Sequence, residues 1–321
     1  MLTLLAKNFT FDGEKFFKNS IQFTLFGKDV EIMYYAIAIL TGMLLCVLFA
    51  IPLIKKIGHS PDLLLDLMIA IIPCAIICAR LWYVLNALDE FDSFKEVINF
   101  SQGGLAIYGG VAGGALGIFI VCKIKKIKWL DIADIGCCLL PLGQAVGRWG
   151  NFFNQEVYGM QTTATFPFGV YISSIGEWRV ALFFIESMCN LLLFVAMYIW
   201  FIKAKPKKSG YFLVTYFIGY GLIRLIMEPF RDPKFNLMVL GMKSQVLTSI
   251  LVILAGLAVL IIILWRDYPN LFKKAFNFIK NLFNKNKTAS EAINETLNKT
   301  ESITETNTKI VNENANENNN G

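Results

Sequence analysis

The chain has 321 residues, 55% of them hydrophobic and only 17% charged, with a formal net charge of +6. Soluble domains carry roughly 25% charged residues, so a water-soluble globular fold is excluded and an all-α polytopic membrane protein is expected. The positive balance reads as membrane topology rather than nucleic-acid binding, and no nucleic-acid partner is expected.

A membrane span needs about 20 mostly apolar residues. Seven stretches qualify, near 34–54, 66–87, 105–122, 131–148, 180–202, 209–227 and 245–265, the third and fourth interrupted by Gly and polar residues. They define a membrane domain over 34–265. The preceding segment, 1–33, mixes four Lys, two Asp and two Glu with its apolar residues. It lacks the basic start, apolar stretch and cleavage site of a secretory signal, so the N-terminus is expected to be retained.

Lys and Arg in short loops set orientation. Lys55 and Lys56, the Lys123–Lys128 group, the Lys203–Lys208 group and the segment after the last span place sixteen positive residues on one side against nine on the other. This predicts seven helices with the N-terminus out and the C-terminus in. All seven cysteines lie in or beside apolar spans, where small buried filler is the expected role. No histidine is close enough to Cys74 and Cys78 to suggest a metal site.

The third span opens within GGLAIYGGVAGGALG (103–117), with Gly109, Gly113 and Gly117 spaced by four. This stripe fits close helix packing through small residues and equally a backbone approach to a ligand; Tyr108 is the polar side chain within it. After the last span, 266–287 reads as a basic interfacial helix with Phe272, Phe276, Ile279 and Phe283 on one stripe. Residues 288–321 have almost no apolar content, which predicts disorder and a tail on the inner side.

The chemistry concentrates in two segments. GQAVGRWGNFFNQEVYG (143–159) places Gln144, Arg148, Asn151 and Gln155 on one face if the fourth helix continues that far. YGLIRLIMEPFR (220–231) places Tyr220, Arg224, Glu228 and Arg231 on one stripe. An Arg at mid-membrane costs roughly 2.5–3.5 kcal/mol on insertion scales, so Arg80, Arg148 and Arg224 each need a partner or a purpose. A structural reading pairs Arg148 with Glu228, or Arg224 with Glu156. A functional reading notes that guanidinium geometry suits phosphate, and that two arginines facing the outer half of the bilayer suit a phospholipid headgroup. On these residues alone a lipid enzyme, an anion transporter and a structural ion-pair network all stay open.

GRWGNFFNQEVYG resembles the signature of the bacterial prolipoprotein diacylglyceryl transferases, with Arg148, Asn151, Asn154, Glu156 and Gly159 in their expected places. GGLAIYGG, RLWYV (80–84), the Tyr34–Tyr35 pair and the later arginine helix also fit, and the likeness covers about residues 30–265. The resemblance implies transfer of the diacylglyceryl group of phosphatidylglycerol to the lipobox cysteine of a preprolipoprotein. A thioether would form and glycerol-1-phosphate would leave, in the bacterial cytoplasmic membrane and with no cofactor. It further implies Arg148 and Arg224 as phosphate holders, and Asn151 and Tyr35 as residues needed for activity. Glu156 and Glu228 would hold the arginines, and Asn154, Gly159 and Tyr220 would belong to the lipid site.

Two departures stand out. Many members carry a His where this chain has Tyr108, and the one histidine here, His59, lies in the inward-facing loop. A phenol with a pKa of about 10 is a poor base at neutral pH, so Tyr108 is expected to position rather than to deprotonate. Ile185 stands where a Tyr is common, beside the family's acid at Glu186. A transporter would predict inverted repeats, and none is visible; a retinal protein would need a Lys in 245–265, which has none. The sequence carries no signal for an oligomeric state.

Overall fold

A computed structural model describes residues 20–269, apart from 26–27, 92, 100–102, 204–208, 237 and 240, together with residues 273 and 277. The interfacial stripe and tail expected over 266–287 and 288–321 lie almost wholly outside the described residues. Among the described residues seven helices are long and apolar enough to cross a membrane, which makes this a multi-pass membrane protein. They are α1 (Tyr34–Lys56), α2 (Asp62–Asn86), α3 (Ile107–Lys125), α4 (Trp129–Asn154), α5 (Leu182–Lys203), α6 (Tyr211–Met227) and α7 (Ser244–Asp267). The chain divides into two units, 1–260 and 261–321; the second contains the last turns of α7, where Arg266 pairs with Asp267.

Successive spans alternate in direction, so the short loops gather at two ends. At one end Lys125 pairs with Asp66 at 2.7 Å, Lys56 donates to the Phe201 and Ile202 carbonyls, and Ser209 bonds Asp131. There the buried Asp134 accepts from the backbone N–H groups of Gly210 and Leu213 at 2.6 and 2.9 Å, satisfying donors that begin α6 and have no partner within that helix. His59 lies in the loop between α1 and α2 at this end.

The fourth helix is the hub, packed against α1, α5, α6 and α3. Its buried Ile135, Cys138, Leu139 and Leu142 join Leu53 and Ile54 of α1 and Phe194, Met197 and Phe201 of α5 in the main core. All seven cysteines are free thiols, three of them buried. On the flank, α3 lies directly on α2 through its glycine stripe. A Cβ at Gly109 or Gly113 would meet the carbonyl oxygen of Cys78 or Cys74, and one at Gly117 would come within 2.8 Å of the Ile71 Cα. Gly110 and Gly114, off the stripe, have about 3.8 Å to their nearest neighbours. The packing reading therefore holds at Gly109, Gly113 and Gly117.

The opposite end carries the extramembrane structure. Strands β1 (Ser20–Leu25) and β2 (Lys28–Met33) form a hairpin that runs straight into α1. Between α2 and α3, Arg80 gathers the connection by donating to five backbone carbonyls, those of Glu96, Val97, Asn99, Gly103 and Gly104, at 2.7–3.1 Å. This intramembrane arginine is thus a loop organiser. Between α4 and α5 lies a second hairpin, β3 (Gly169–Ile172) and β4 (Glu177–Val180), and between α6 and α7 a third, β5 (Met238–Val239) and β6 (Met242–Lys243).

Candidate active site

The fourth helix runs to Asn154, six residues past the apolar stretch, and its Arg148 and Asn151 side chains find partners within the protein. Arg148 and Asn151 consequently sit on one helical face, with the Arg148 Nη1 donating to Asn151 Oδ1 at 3.2 Å. The helix then stops at Gln155, whose φ of 49° is left-handed. Gln155 leaves the expected face, and its amide side chain bonds Ser173. Two residues on, Val157 also has a positive φ, 56°, a genuine outlier for a β-branched residue. This tight turn folds Glu156 back beneath the helix end, where its Oε1 accepts from Asn151 Nδ2 at 3.0 Å and Asn154 Nδ2 at 3.3 Å.

The centre of the site is Glu186 of α5, 3% exposed. Its carboxylate accepts from Arg148 Nη2 at 2.7 Å and from Arg224 Nη1 at 3.0 and 2.9 Å, so one acid bridges both arginines. The pairings anticipated from sequence, Arg148 with Glu228 and Arg224 with Glu156, do not form among the described residues. The reason is position: α5 packs against both α4 and α6, so its acid reaches both guanidinium groups. Glu228 pairs instead with Arg231 at 3.3 Å, and Glu156 reaches Arg148 only through Asn151. The other face of Arg224 is held by Gln245 at the start of α7, whose Oε1 accepts from Nη2 at 2.9 Å.

The α6 stripe persists although the helix gives way to a 3-10 turn at Glu228–Phe230. Tyr220 stacks on Tyr216 with ring centroids 5.5 Å apart, and Tyr216 receives a hydrogen bond from Gln144 at 2.8 Å. One turn from Glu186, Asn190 is fully buried, and neither of its amide atoms has a partner among the described residues. Tyr35 packs against Gly150, where a Cβ would come within 2.5 Å of the ring; Gly150 lets α1 approach α4 beside the arginine.

Backbone bridges between the loops after α4 and α6 hold the site from outside. Gly159 donates to the Val180 carbonyl and Met160 to that of Phe230, both at 2.9 Å, and Gly159 pairs with Arg231 as an isolated bridge. A Cβ at Gly159 would sit 2.6 Å from the Phe230 carbonyl oxygen. Expected among the lipid-binding residues, Gly159 is buried at this backbone crossing. Arg179, unremarked in the sequence, joins Glu177 and Asp232 at 2.6 Å each and lies against the Tyr158 ring. Burial, followed by the neighbouring Arg224 charge, pulls the Arg231 guanidinium below its ordinary pKa.

Arg148, Arg224, Asn151, Asn154 and Glu156 therefore converge, with Tyr35, Tyr220, Glu228 and Gly159 packed around them. Tyr108 stands apart: it is 53% exposed in the first turn of α3 and has no side-chain partner among the described residues. Glu186 carried the signal of an acid within an apolar span. Gln245 carried none, lying where polar residues are common at a helix start.

Each guanidinium has five N–H donors. Arg148 commits two hydrogen bonds and Arg224 three, among the described residues. Both keep donors for a further acceptor. The two arginines and their shared carboxylate carry a net charge of +1 in a largely buried setting, which an anion would neutralise.

Residues 21–262 match the family described as prolipoprotein diacylglyceryl transferase. Similar proteins include the phosphatidylglycerol–prolipoprotein diacylglyceryl transferase of Finegoldia magna, 34% identical over 74% of this chain and 92% of that one. The corresponding transferase 1 of Clostridium perfringens is 36% identical over 77% and 95%, and the transferase of Clostridioides difficile 36% over 73% and 91%.

Proposed function

The chain belongs to the prolipoprotein diacylglyceryl transferase family, and from that premise we propose how its site moves a diacylglyceryl group from phosphatidylglycerol to a prolipoprotein. The observation that carries the reading is the Arg148–Glu186–Arg224 arrangement, a net positive centre with unused guanidinium donors. Arg148 and Arg224 receive the phosphodiester of the lipid. Asn151 fixes the Arg148 fork and is itself held by Glu156. Asn154 and Tyr220 border the lipid, Tyr35 wedges against the arginine helix, and Glu228 works through Arg231. Gly159 serves the site by locking the two outer loops together.

The acceptor is the lipobox cysteine thiol. At a pKa of about 8.5 only a few per cent of it is thiolate near neutrality, and a positive site raises that fraction. The sulfur attacks the glyceryl carbon bearing the phosphate ester and a C–S bond forms. The C–O bond to phosphate breaks, and its electron pair leaves on glycerol-1-phosphate, which takes up the proton lost by the thiol. The arginines stabilise the charge that gathers on the departing phosphate. Tyr108, exposed and without a side-chain partner among the described residues, has a positioning role at the edge of the site rather than acting as the base. The loop charges support an outward N-terminus and a site facing the outer leaflet of the bacterial cytoplasmic membrane.

The test is a single assay. Purified protein with phosphatidylglycerol and a lipobox peptide should yield a peptide heavier by one diacylglyceryl group, read by mass spectrometry. Tyr108→Phe should retain turnover; its loss with lipid binding intact would restore Tyr108 as a base, and an unmodified peptide with wild-type protein would overturn the transferase reading.

A further inference from the structure

We propose that Gln245 is a positioning residue of the anion clamp, and that its neutrality is what the site requires. This rests on the transferase reading above. Arg224 is held on two sides: Glu186 takes Nη1 through both carboxylate oxygens, and Gln245 Oε1 takes Nη2 at 2.9 Å. A guanidinium has only donors, so any residue orienting this face must offer an acceptor. A carboxylate would do so more strongly, but it would change the charge of the centre.

Arg148, Arg224 and Glu186 together carry +1. The adjoining Arg231–Glu228 pair adds nothing, and Glu156 is separated from the arginines by Asn151. A second acid in contact with Arg224 would leave the three-residue centre plus its new partner with no net charge to offer a phosphate. An amide oxygen orients Arg224 and leaves that charge in place. Gln245 is itself fixed by the first turn of α7, where its backbone carbonyl accepts from the Thr248 and Ser249 hydroxyls at 3.1 and 2.6 Å. The next two turns of α7 rest on α6 beside the arginine: a Cβ on Gly221 would lie 2.6 Å from Ile253 and 3.3 Å from the Ser249 carbonyl oxygen. The last span, which contributes little to the core, thereby reaches the chemistry through one side chain.

Two substitutions in the full-length protein separate charge from geometry. Gln245→Glu keeps an acceptor on Arg224 and should raise KM for phosphatidylglycerol at least tenfold, with the phosphatidylglycerol that co-purifies falling in parallel. Gln245→Met keeps the volume without the acceptor and should lower kcat at least tenfold while moving KM less than threefold. Wild-type affinity in Gln245→Glu, or the same kcat and KM changes in both variants, would overturn the proposal. If Gln245→Glu does not fold, by thermal unfolding in detergent, Gln245→Met decides: an unchanged kcat overturns the positioning role. Wild-type protein without turnover would overturn the transferase reading instead, and lipid retention by wild type against Gln245→Glu would still decide the role of Gln245.

Discussion

Removing the carboxylate of Glu186 should do more damage than removing any other acid in the protein. Its two oxygens accept three charge-assisted bonds at 2.7–3.0 Å from two arginines on two different helices. The side chains of Glu186 and Arg224 are 4% and 10% exposed, so solvent screens that pair little; Arg148, at 20%, contributes the smaller share. Deleting one partner of a buried ion pair costs about 3–5 kcal/mol because the other charge stays buried. Glu186→Ala should lose that much stability and Glu186→Gln less, since an amide oxygen still accepts from one guanidinium. The catalytic effect is larger than the geometric change suggests: a displacement of about 1 Å at a positioned group can cost on the order of 100-fold. Thermal unfolding in detergent, beside diacylglyceryl transfer measured by mass spectrometry, reads both effects. Glu186→Ala that unfolds with wild type and turns over at a comparable rate would refute the idea that this carboxylate holds the arginines in register.

Three further outcomes follow from the packing and the outer hairpin. Gly113→Ala drives a methyl group into the Cys74 carbonyl and should cost about 1–3 kcal/mol, whereas Gly114→Ala, with 3.8 Å to Ile71, should stay within about 0.5 kcal/mol of wild type; paired unfolding curves check the contrast. Asn190→Leu replaces a buried amide whose polar atoms lack partners among the described residues, each costing about 1–3 kcal/mol, so its midpoint should rise, and a clear fall would show that the amide is satisfied. In the β1–β2 hairpin, hydrogen bonds from Ser20 and then Gln22 hold the Glu31 carboxyl below its ordinary pKa. A depressed folded-state value stabilises above the unfolded value and is lost as pH falls through the folded one. Hairpin amide protection should therefore weaken below about pH 4.3, and Glu31→Gln should remove that dependence.

Seven spans were legible because an apolar run of bilayer length has few other fates, and the stripe of Gly109, Gly113 and Gly117 was legible because its period matches one helix face. The ends were not. The second helix begins at Asp62 and the fourth runs on to Asn154; hydropathy averages over all faces and cannot tell a polar residue facing protein from one facing lipid. Spacing likewise placed Arg148 and Arg224 on their own helices without saying which third helix lies between them. The acid that joins them could be assigned only once α5 was seen to touch both α4 and α6. Gln155 shows the converse, since its helical spacing from Asn151 is cancelled by a left-handed turn. Gln245 acts through Arg224, and Arg179 reaches Asp232 as well as the adjacent Glu177; both distant partners lie on other segments, and no local pattern marks them.

The proposed clamp consists of two guanidinium groups that offer donors to one phosphate. The most direct measurement is transfer by Arg148→Ala and Arg224→Ala, each assayed with phosphatidylglycerol and a lipobox peptide beside wild type. Each variant is predicted to lose turnover by at least 100-fold while remaining folded in detergent; near-normal turnover in either one would contradict the clamp.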